Sequence, residues 1–331
     1  MKERHATNSL VKYAHRQILK RILRKYKGGR IAVLPHNLPD WDGATSAAVF
    51  ARAFGWTFAL QPPMESSVSN GLKKLGFEFT PFSTLNPREF DGLVLLDNRS
   101  PNMFPPSINE WDIILVIDHH GNSDGIKAKS EIVIPEAEAT ARIIAELLGM
   151  KKMEKEMARA LAAGIYSDTL KLGILRNPSI FPVFSELLEI GDIGNMELSR
   201  LIDPLPTEEE LRFILQARST VEIFRHRELR IATVLSDRIV QRRIVEELWN
   251  DHHVSIVGSE NGEGQRISIR INDEVPVDGA AIMVRTGQSY GGSGGGHSKA
   301  AGCGGNGIIQ EMLNTVVRLV KEELDKLNQD R

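Results

Sequence analysis

One cysteine, Cys303, stands in 331 residues. An intrachain disulfide is therefore excluded, and a zinc site held by several thiolates is argued against. Aromatic residues are scarce at 6%, and no apolar run approaches the ~18 residues that a membrane span requires. An apolar signal core is missing at the N-terminus, so the expected location is cytoplasmic, without membrane contact. Acidic residues are absent between Glu3 and Asp40, whereas eight Lys and Arg fall in Lys12–Arg30. The net charge of −2 says little about partners, because distribution matters more than the sum. The rest is ordinary for a globular chain, 41% hydrophobic and 25% charged, and long enough for two domains.

The acid-free stretch LVKYAHRQILKRILRKYKGGR reads as an amphipathic helix within residues 1–28. Val11, Ala14, Ile18 and Ile22 make an apolar stripe, Arg16, Lys20 and Arg24 line another face at four-residue spacing, and Gly28-Gly29 stops the helix. A docked helix with a solvated basic face is the first expectation and a phosphate-attracting surface the second. A membrane-surface helix is disfavoured because the stripe lacks Trp and Phe.

From Gly29 onward, short apolar runs alternate with helical stretches. RIAVL, DGLVLLD and DIILVID are continuous Val, Ile and Leu runs of strand length, which suit strands buried on both faces of a parallel sheet. Thr45–Phe54, Ala139–Leu148, Met157–Ile165 and Ser179–Ile190 read as helices. The expected fold is α/β, a doubly wound and mainly parallel sheet domain over residues 29–200. A connecting helix over 201–225 follows, introduced by Pro204–Thr207. LRIATVLS, VSIVGSE and RISIRIND then alternate as strands of a smaller α+β domain over 226–327, with a glycine-dense loop and a closing helix from Ile308 to Leu327.

Each first-half strand ends in charged or metal-capable groups. His36, Asp40 and Asp42 follow the first, Asp97 the second, and Asp118 with His119 and His120 the third; Asp168 follows a helix. In open α/β sheets the ligand site lies beyond the carboxyl ends of the strands, so these tips converge. Five carboxylates and three histidines together would raise several carboxyl pKa values unless cations were present. Carboxylate plus imidazole, without thiolate, suits Mn²⁺ or Mg²⁺, and two such ions about 3.5–4 Å apart are a common device of phosphoryl chemistry. Taken singly, each aspartate is more simply a helix cap or turn residue. A second Asp-His-His triplet, Asp251–His253, has no companion acids and is read as chance.

These motifs resemble the DHH phosphoesterase superfamily: H-x3-D-x-D as HNLPDWD, the aspartate of LLDNRSP, IDHH, GIYSDT, and the G-G-G-H-x-x-A-A-G loop as GGGHSKAAG. The resemblance covers roughly residues 30–325. It implies that 29–200 is a metal-binding catalytic domain and 226–327 a DHH-associated substrate-binding domain. It implies one Mn²⁺ held by His36, Asp40 and Asp97, and another by Asp42, Asp97, His119 and Asp168, with Asp97 as bridge. Asp118 would accept a hydrogen bond from a ligand imidazole, and His120 would face the scissile phosphate; these two make the catalytic pair. Thr45 stands where the family often has glycine, so the first helix is expected to sit slightly differently.

Successive glycines let backbone N–H groups turn toward an anion. Gly295, Gly296 and His297 are thus candidate substrate contacts, with Lys299 adding charge, and a binding loop is preferred to a flexible linker; the resemblance implies that Arg270, otherwise an ordinary exposed strand arginine, contacts a phosphate or base. Tyr290 could stack on a base or sit in a surface loop, and Cys303 reads as a small packed residue. The second domain and the length resemble the compact nanoRNase and pAp-phosphatase branch. That implies a Mn²⁺-dependent (or Mg²⁺-dependent) exonucleolytic phosphoesterase acting on short RNA or DNA oligonucleotides, with pAp and linear dinucleotides as further nucleotide substrates. The alternatives are a pyrophosphatase or exopolyphosphatase, and an RNA-binding module with incidental catalysis. A homodimer is left open.

Overall fold

The computed structural model describes residues 9–121, 125–175, 177–261 and 264–329. The chain divides into two compact units, Met1–Leu205 and Pro206–Arg331. In the first, α1 (Tyr13–Lys25) leads into β1 (Ile31–Pro35), α2 (Trp41–Phe54), β2 (Thr57–Leu60), α3 (Ser66–Lys74) and β3 (Thr80–Pro81). Then come β4 (Gly92–Leu96), β5 (Ile113–Asp118), β6 (Glu131–Val133), α4 (Thr140–Leu148), α5 (Lys155–Asp168), α6 (Ile180–Gly191) and α7 (Asn195–Ile202). The six strands form one parallel sheet in the order β3-β2-β1-β4-β5-β6.

The apolar runs become strands buried on both sides. Ile31 and Val33 of β1, with Val94 and Leu96 of β4, face the large core under α1, α2, α4, α5 and α6. Ala32, Leu34, Leu93 and Leu95 face a second core closed by Phe82, Phe104, Ile108 and Trp111. These four come from single-turn helical segments and their flanks, so one side of the sheet carries long helices and the other short turns. The brief strands β2, β3 and β6 escape sequence reading because two to four residues show no period.

Four expectations are corrected here. The docked stripe of α1 is Val11, Leu19 and Ile22, while Ala14 is exposed. The helix begins only at Tyr13, so Val11 lies outside its periodicity and instead gives its N–H to Glu146 Oε2 at 3.0 Å. Residues 201–225 are not one helix. α7 stops at Ile202, the Pro204–Pro206 stretch cannot continue it, and α8 (Glu208–Ser219) starts afresh in the second unit from a capping box of Thr207 and Glu210. The first strand of that unit, β7 (Glu222–His226), precedes residue 226 as its neighbour β8 (Leu229–Leu235) requires. The glycine-dense segment, finally, is a hairpin, β11 (Ser293–Gly296) with β12 (Ala300–Gly305).

The second unit is completed by α9 (Gln241–Trp249), β9 (Val254–Asn261), β10 (Gly264–Ile271), α10 (Gly279–Ser289) and α11 (Ile309–Gln329). Its mixed sheet runs β11-β12-β10-β9-β8-β7, antiparallel except between β8 and β9. α10 and α11 cover one face over Ile267, Ile269 and Ile271, and α8 with α9 the other over Ala232, Val234 and Val257.

Thr45 settles how α2 packs. Its hydroxyl donates to Trp41 O at 2.6 Å, and Gly164 of α5 leaves the room it needs. A methyl at Gly164 would meet Thr45 Oγ1 at 2.7 Å and Ala141 Cβ at 2.9 Å. Gly164→Ala is expected to cost about 1–3 kcal/mol by overpacking, and Thr45→Gly in the same chain should return part of that loss. Urea unfolding of the single and double variants measures both.

Candidate metal centre

β1, β4 and β5 lie side by side and parallel, so the residues after them emerge at one edge of the sheet. Between β1 and β4 the order of winding reverses, and such a switch point opens a crevice beyond the strand ends. His36 follows β1, Asp40 caps α2 by accepting from Gly43 N at 3.1 Å, and Asp42 sits in the first turn of that helix. Asp97 follows β4, Asp118 closes β5 with His119 and His120 behind it, and Asp168 is the last residue of α5. His36–Asp40–Asp97, Asp42–His119–Asp168 and Asp97–Asp118–His120 form three groups, each with its ligating atoms within 4.8 Å of one another. The structure therefore brings together all eight residues that the motifs single out.

Asp97 is the pivot. Its Oδ2 lies 3.5 Å from His36 Nε2 and its Oδ1 3.5 Å from His119 Nε2, so each oxygen faces a different imidazole. Both rings are fixed from behind. His36 Nδ1 is 2.8 Å from Asn37 O and His119 Nδ1 is 3.2 Å from Ala137 O, which places the proton on Nδ1 and leaves the Nε2 lone pair toward the carboxylates. The backbone of Asp97 has φ 66°, in the left-handed region, a strained choice for a residue with a side chain. Opposite it, Gly43 is required by space: a Cβ there would lie 3.0 Å from Asp97 Oδ2 and 3.1 Å from His36 Nε2.

The donor set has no charge balance of its own. Burial first, then Asp42, Asp40, Asp168 and Asp118, push the carboxyl of Asp97 well above its ordinary value. Burial and Asp40 push Asp42 up to about 6, even though two backbone N–H groups oppose the shift. One oxygen of Asp118, Oδ2, is buried with no hydrogen-bond partner. Two imidazole nitrogens and several carboxylates, short of positive charge and free of thiolate, fit hard divalent cations such as Mn²⁺ or Mg²⁺.

Asp118 serves a different ring from the one expected. It does not hold the ligand imidazole of His119; its Oδ1 accepts from His120 Nδ1 at 2.7 Å and from His120 N at 3.0 Å. The reason is local. His119 already spends Nδ1 on Ala137 O, and the turn after β5 folds His120 back over the strand end. Burial, the largest single influence, opposes the charge of each partner, but the hydrogen bonding and the attraction of neighbouring charges together outweigh it, holding Asp118 below and His120 above their ordinary values.

Thr140 was not legible as part of the centre. At the start of α4 its N–H donates to Asp42 Oδ2 at 2.6 Å and its hydroxyl to Asp97 Oδ1 at 2.8 Å, while Ala141 N donates to Asp42 Oδ1 at 2.7 Å. A threonine at the head of an apolar helix was the available signal.

In the second unit, the hairpin glycines are mostly packing devices. A Cβ at Gly294 would meet Met283 O at 2.1 Å and one at Gly292 would meet Gly304 O at 2.1 Å; Gly296 has φ +127°. Gly295 alone among the GGGH glycines has neither a close neighbour nor a positive φ. His297 closes the hairpin turn through its backbone, with N–H to Ala300 O at 2.8 Å, and Arg270 stands opposite Ala300 in register. Arg270 lies on the α9 face, with Nη2 3.9 Å from Glu246 Oε1.

Lys299 does not offer its charge to a ligand; its ammonium is spent on the carbonyls of Asn272, Asp273 and Val275. Nor is Tyr290 a loop residue. It ends α10, packs over Gly305 and Gly307, and hydrogen bonds Thr315 Oγ1 at 2.9 Å. Cys303 is buried, which pushes its thiol up to about 11 and leaves it unreactive.

The chain carries two domains of the DHH family. Residues 30–165 match the DHH family, N-terminal domain, and residues 234–326 match the DHHA1 domain. An uncharacterised protein of Methanocaldococcus jannaschii is 27% identical over 261 residues, 74% of this chain and 78% of that protein. A manganese-dependent inorganic pyrophosphatase of Methanothrix thermoacetophila is 30% identical over 148 residues, 42% of this chain but only 47% of that enzyme. Among solved structures, an exopolyphosphatase-related protein from Bacteroides fragilis shares the fold with a TM-score of 0.77 at 17% identity, over 94% of this chain and 98% of that one. RecJ with Mn²⁺ from Thermus thermophilus gives 0.51 at 12% identity, over 94% of this chain and 54% of its own. Phosphoester or phosphoanhydride hydrolysis is the activity common to proteins of the DHH family. Among the described residues no helix is long and apolar enough to cross a membrane.

The raised carboxyl groups fix a sign for stability. The folded centre binds protons more tightly than the unfolded chain does, so the metal-free protein loses stability as pH rises from about 4 through the raised values. In EDTA the melting temperature should therefore be several degrees higher near pH 5 than near pH 8. Added Mn²⁺ should raise it more at pH 8 than at pH 5. Equal Mn²⁺ effects at both pH values would count against the carboxylates as ligands.

Proposed function

We propose that this protein is a Mn²⁺-dependent phosphodiesterase that removes terminal nucleotides from short RNA or DNA oligonucleotides, with pAp and linear dinucleotides among its substrates. The observation that carries the reading is Asp97, whose two oxygens each face a separate imidazole, the disposition of a carboxylate shared between two cations. His36, Asp40 and Asp97 would hold one ion, and Asp42, Asp97, His119 and Asp168 the other. When bound, the ions supply an activated water and neutralise charge on the phosphate.

The chain's own groups do the rest. His36 and His119 are locked in the tautomer that presents Nε2, and Thr140 holds Asp42 and Asp97 at a constant separation. With Nδ1 tied to Asp118, His120 keeps Nε2 as the donor toward a phosphate oxygen or the leaving oxygen. In the second unit, Gly295, His297 and Arg270 gather at the turn end of the hairpin and are assigned to the substrate's terminal phosphate. Phosphoanhydride hydrolysis is the second reading, favoured by the 30% identity to a pyrophosphatase; it places no demand on a nucleobase.

A substrate panel in Mn²⁺ separates these readings: labelled RNA and DNA from dinucleotides to long oligomers, pAp, pyrophosphate and polyphosphate. Preference for short oligonucleotides is expected. Pyrophosphate or polyphosphate turned over faster than any of them would replace the first reading by the second. Asp97→Asn should lose on the order of 10³-fold in kcat while remaining folded, because asparagine imitates the protonated form that burial favours. Gly295→Ala should leave the melting temperature unchanged, since open space surrounds that Cβ, yet raise KM several-fold. An unchanged KM would remove the hairpin from the substrate site.

A further inference from the structure

The basic helix α1 takes no part in the centre described above. Its apolar side is spent on the core: Leu19 and Ile22 are buried and Ile18 and Leu23 pack against the same cluster, leaving no apolar stripe to insert into lipid. On the opposite side Arg16, Lys20 and Arg24 follow one another at four-residue spacing, about 6 Å apart along the axis. Tyr13, three residues before Arg16 and 77% exposed, stands on that same side. Among the described residues no carboxylate lies within 4.0 Å of Arg16, Lys20, Arg21, Arg24, Lys25 or Lys27. Of the chain's 43 Asp and Glu, none falls between Glu3 and Asp40. A chain of net charge −2 has thus gathered, on one outward stripe with an aromatic ring in it, a block of positive charge that no carboxylate among the described residues pairs.

We infer that the outer face of α1 binds the backbone of a single-stranded nucleic acid, with a base stacked on Tyr13. A row of cations beside an exposed ring is the combination by which sequence-tolerant single-strand sites work. Charge alone would serve a polyphosphate or an anionic membrane equally well; the ring favours a ligand that carries bases. None of Tyr13, Arg16, Lys20 and Arg24 belongs to the metal centre. Gly28 and Gly29 deliver the chain to the start of β1, whereas His36 leaves its far end, so the last turn of α1 lies at the opposite edge of the sheet, roughly 16 Å of strand away. The stripe from Arg16 to Arg24 runs about 12 Å along the axis, more than a dinucleotide held in the centre could also span, so the ligand here is a longer strand. Holding such a strand keeps the enzyme where degradation of long chains releases short ends, raising their local concentration. This inference does not depend on the hydrolytic reading, because binding is measured without metal.

The test is fluorescence anisotropy of a labelled single strand of roughly 25 nucleotides, RNA or DNA, with the full chain in EDTA, between about 50 and 200 mM salt. Arg16→Gln, Lys20→Gln and Arg24→Gln combined should weaken binding at least tenfold at low salt. The same variant should flatten the slope of log K against log salt by about 2, that is 0.7 for each of three cations. Tyr13→Ala should weaken binding of the strand about fivefold or more but leave binding of polyphosphate unchanged. Arg16→Lys with Arg24→Lys, which keeps the charge, should bind nearly as wild type and so separates charge from helix stability. Dinucleotide turnover should be unaltered in all of these. Full retention of the strand by the triple variant would overturn the inference. So would a Tyr13→Ala effect that is absent or equal for polyphosphate, or loss of phosphatidylserine-vesicle binding in the triple variant with strand binding intact.

Discussion

Packing Asp40, Asp42, Asp97, Asp118 and Asp168 at the end of one parallel sheet confronts the fold with like charges in a place water barely reaches, and each carboxylate meets that constraint differently. Asp40 is turned to account as the cap of α2, and Asp42 lies across the first two N–H groups of α4, where the helix terminus favours an anion. Asp118 is offset by His120. Asp97 accepts from the Thr140 hydroxyl and otherwise lies against Asp42 and the Nε2 atoms of His36 and His119. It is the group for which the protein supplies no adequate charge, and the one at the junction of the donor sets. Divalent metal is thus what would complete the electrostatics of the first unit.

The clamp on Asp42 and Asp97 depends on where α4 begins, and a buried network holds that helix in place. Arg142, wholly buried, donates to Glu138 Oε2 at 2.6 Å, to Glu146 Oε1 at 2.9 Å and to Ser179 Oγ at 2.6 Å. Glu138 in turn accepts from Asn177 N, and Glu146 from Ser9 Oγ and Val11 N. The segment entering α1, the length of α4 and the turn before α6 are joined through one guanidinium. Buried ion pairs are weak evidence for net stability, because desolvation offsets the attraction. Their value here lies in direction: five donors in a planar fork admit one placement of the surrounding carboxylates.

Much of the first unit was legible because its strands are long apolar runs and its chemistry sits directly after them. The ends of β1, β4 and β5 were readable to within a residue or so, and with them the eight residues of the centre. Contacts made through the backbone were not readable. Thr140 and Ala141 act through N–H groups whose direction depends on where α4 starts. The partner of Asp118 was misjudged because the choice between two adjacent imidazoles rests on Ala137 O, eighteen residues away from His119. In the second unit the glycines suggested a loop, yet at Gly292, just before β11, and at Gly294 within it the small residue lets one backbone lie directly on another. Lys299 looked available by its type; only the turn at Asn272–Val275, far along the chain, consumes it.

The two Asp-His-His triplets show why residue type alone cannot carry function. Asp118–His120 closes a strand, so the three side chains emerge at the carboxyl edge, where the neighbouring strands β1 and β4 deliver their own acids. Asp251–His253 instead precedes β9, at the amino edge, where a parallel neighbour brings backbone rather than side-chain tips. There His253 Nδ1 accepts from Arg230 N at 3.1 Å and His252 Nδ1 lies 2.9 Å from Leu248 O, so both rings are used to join β8, α9 and β9. The same three letters thus build a charged crevice in one place and a turn in the other. What separates them is the direction of the strand they adjoin, and in a parallel sheet that direction is shared by every neighbour at once.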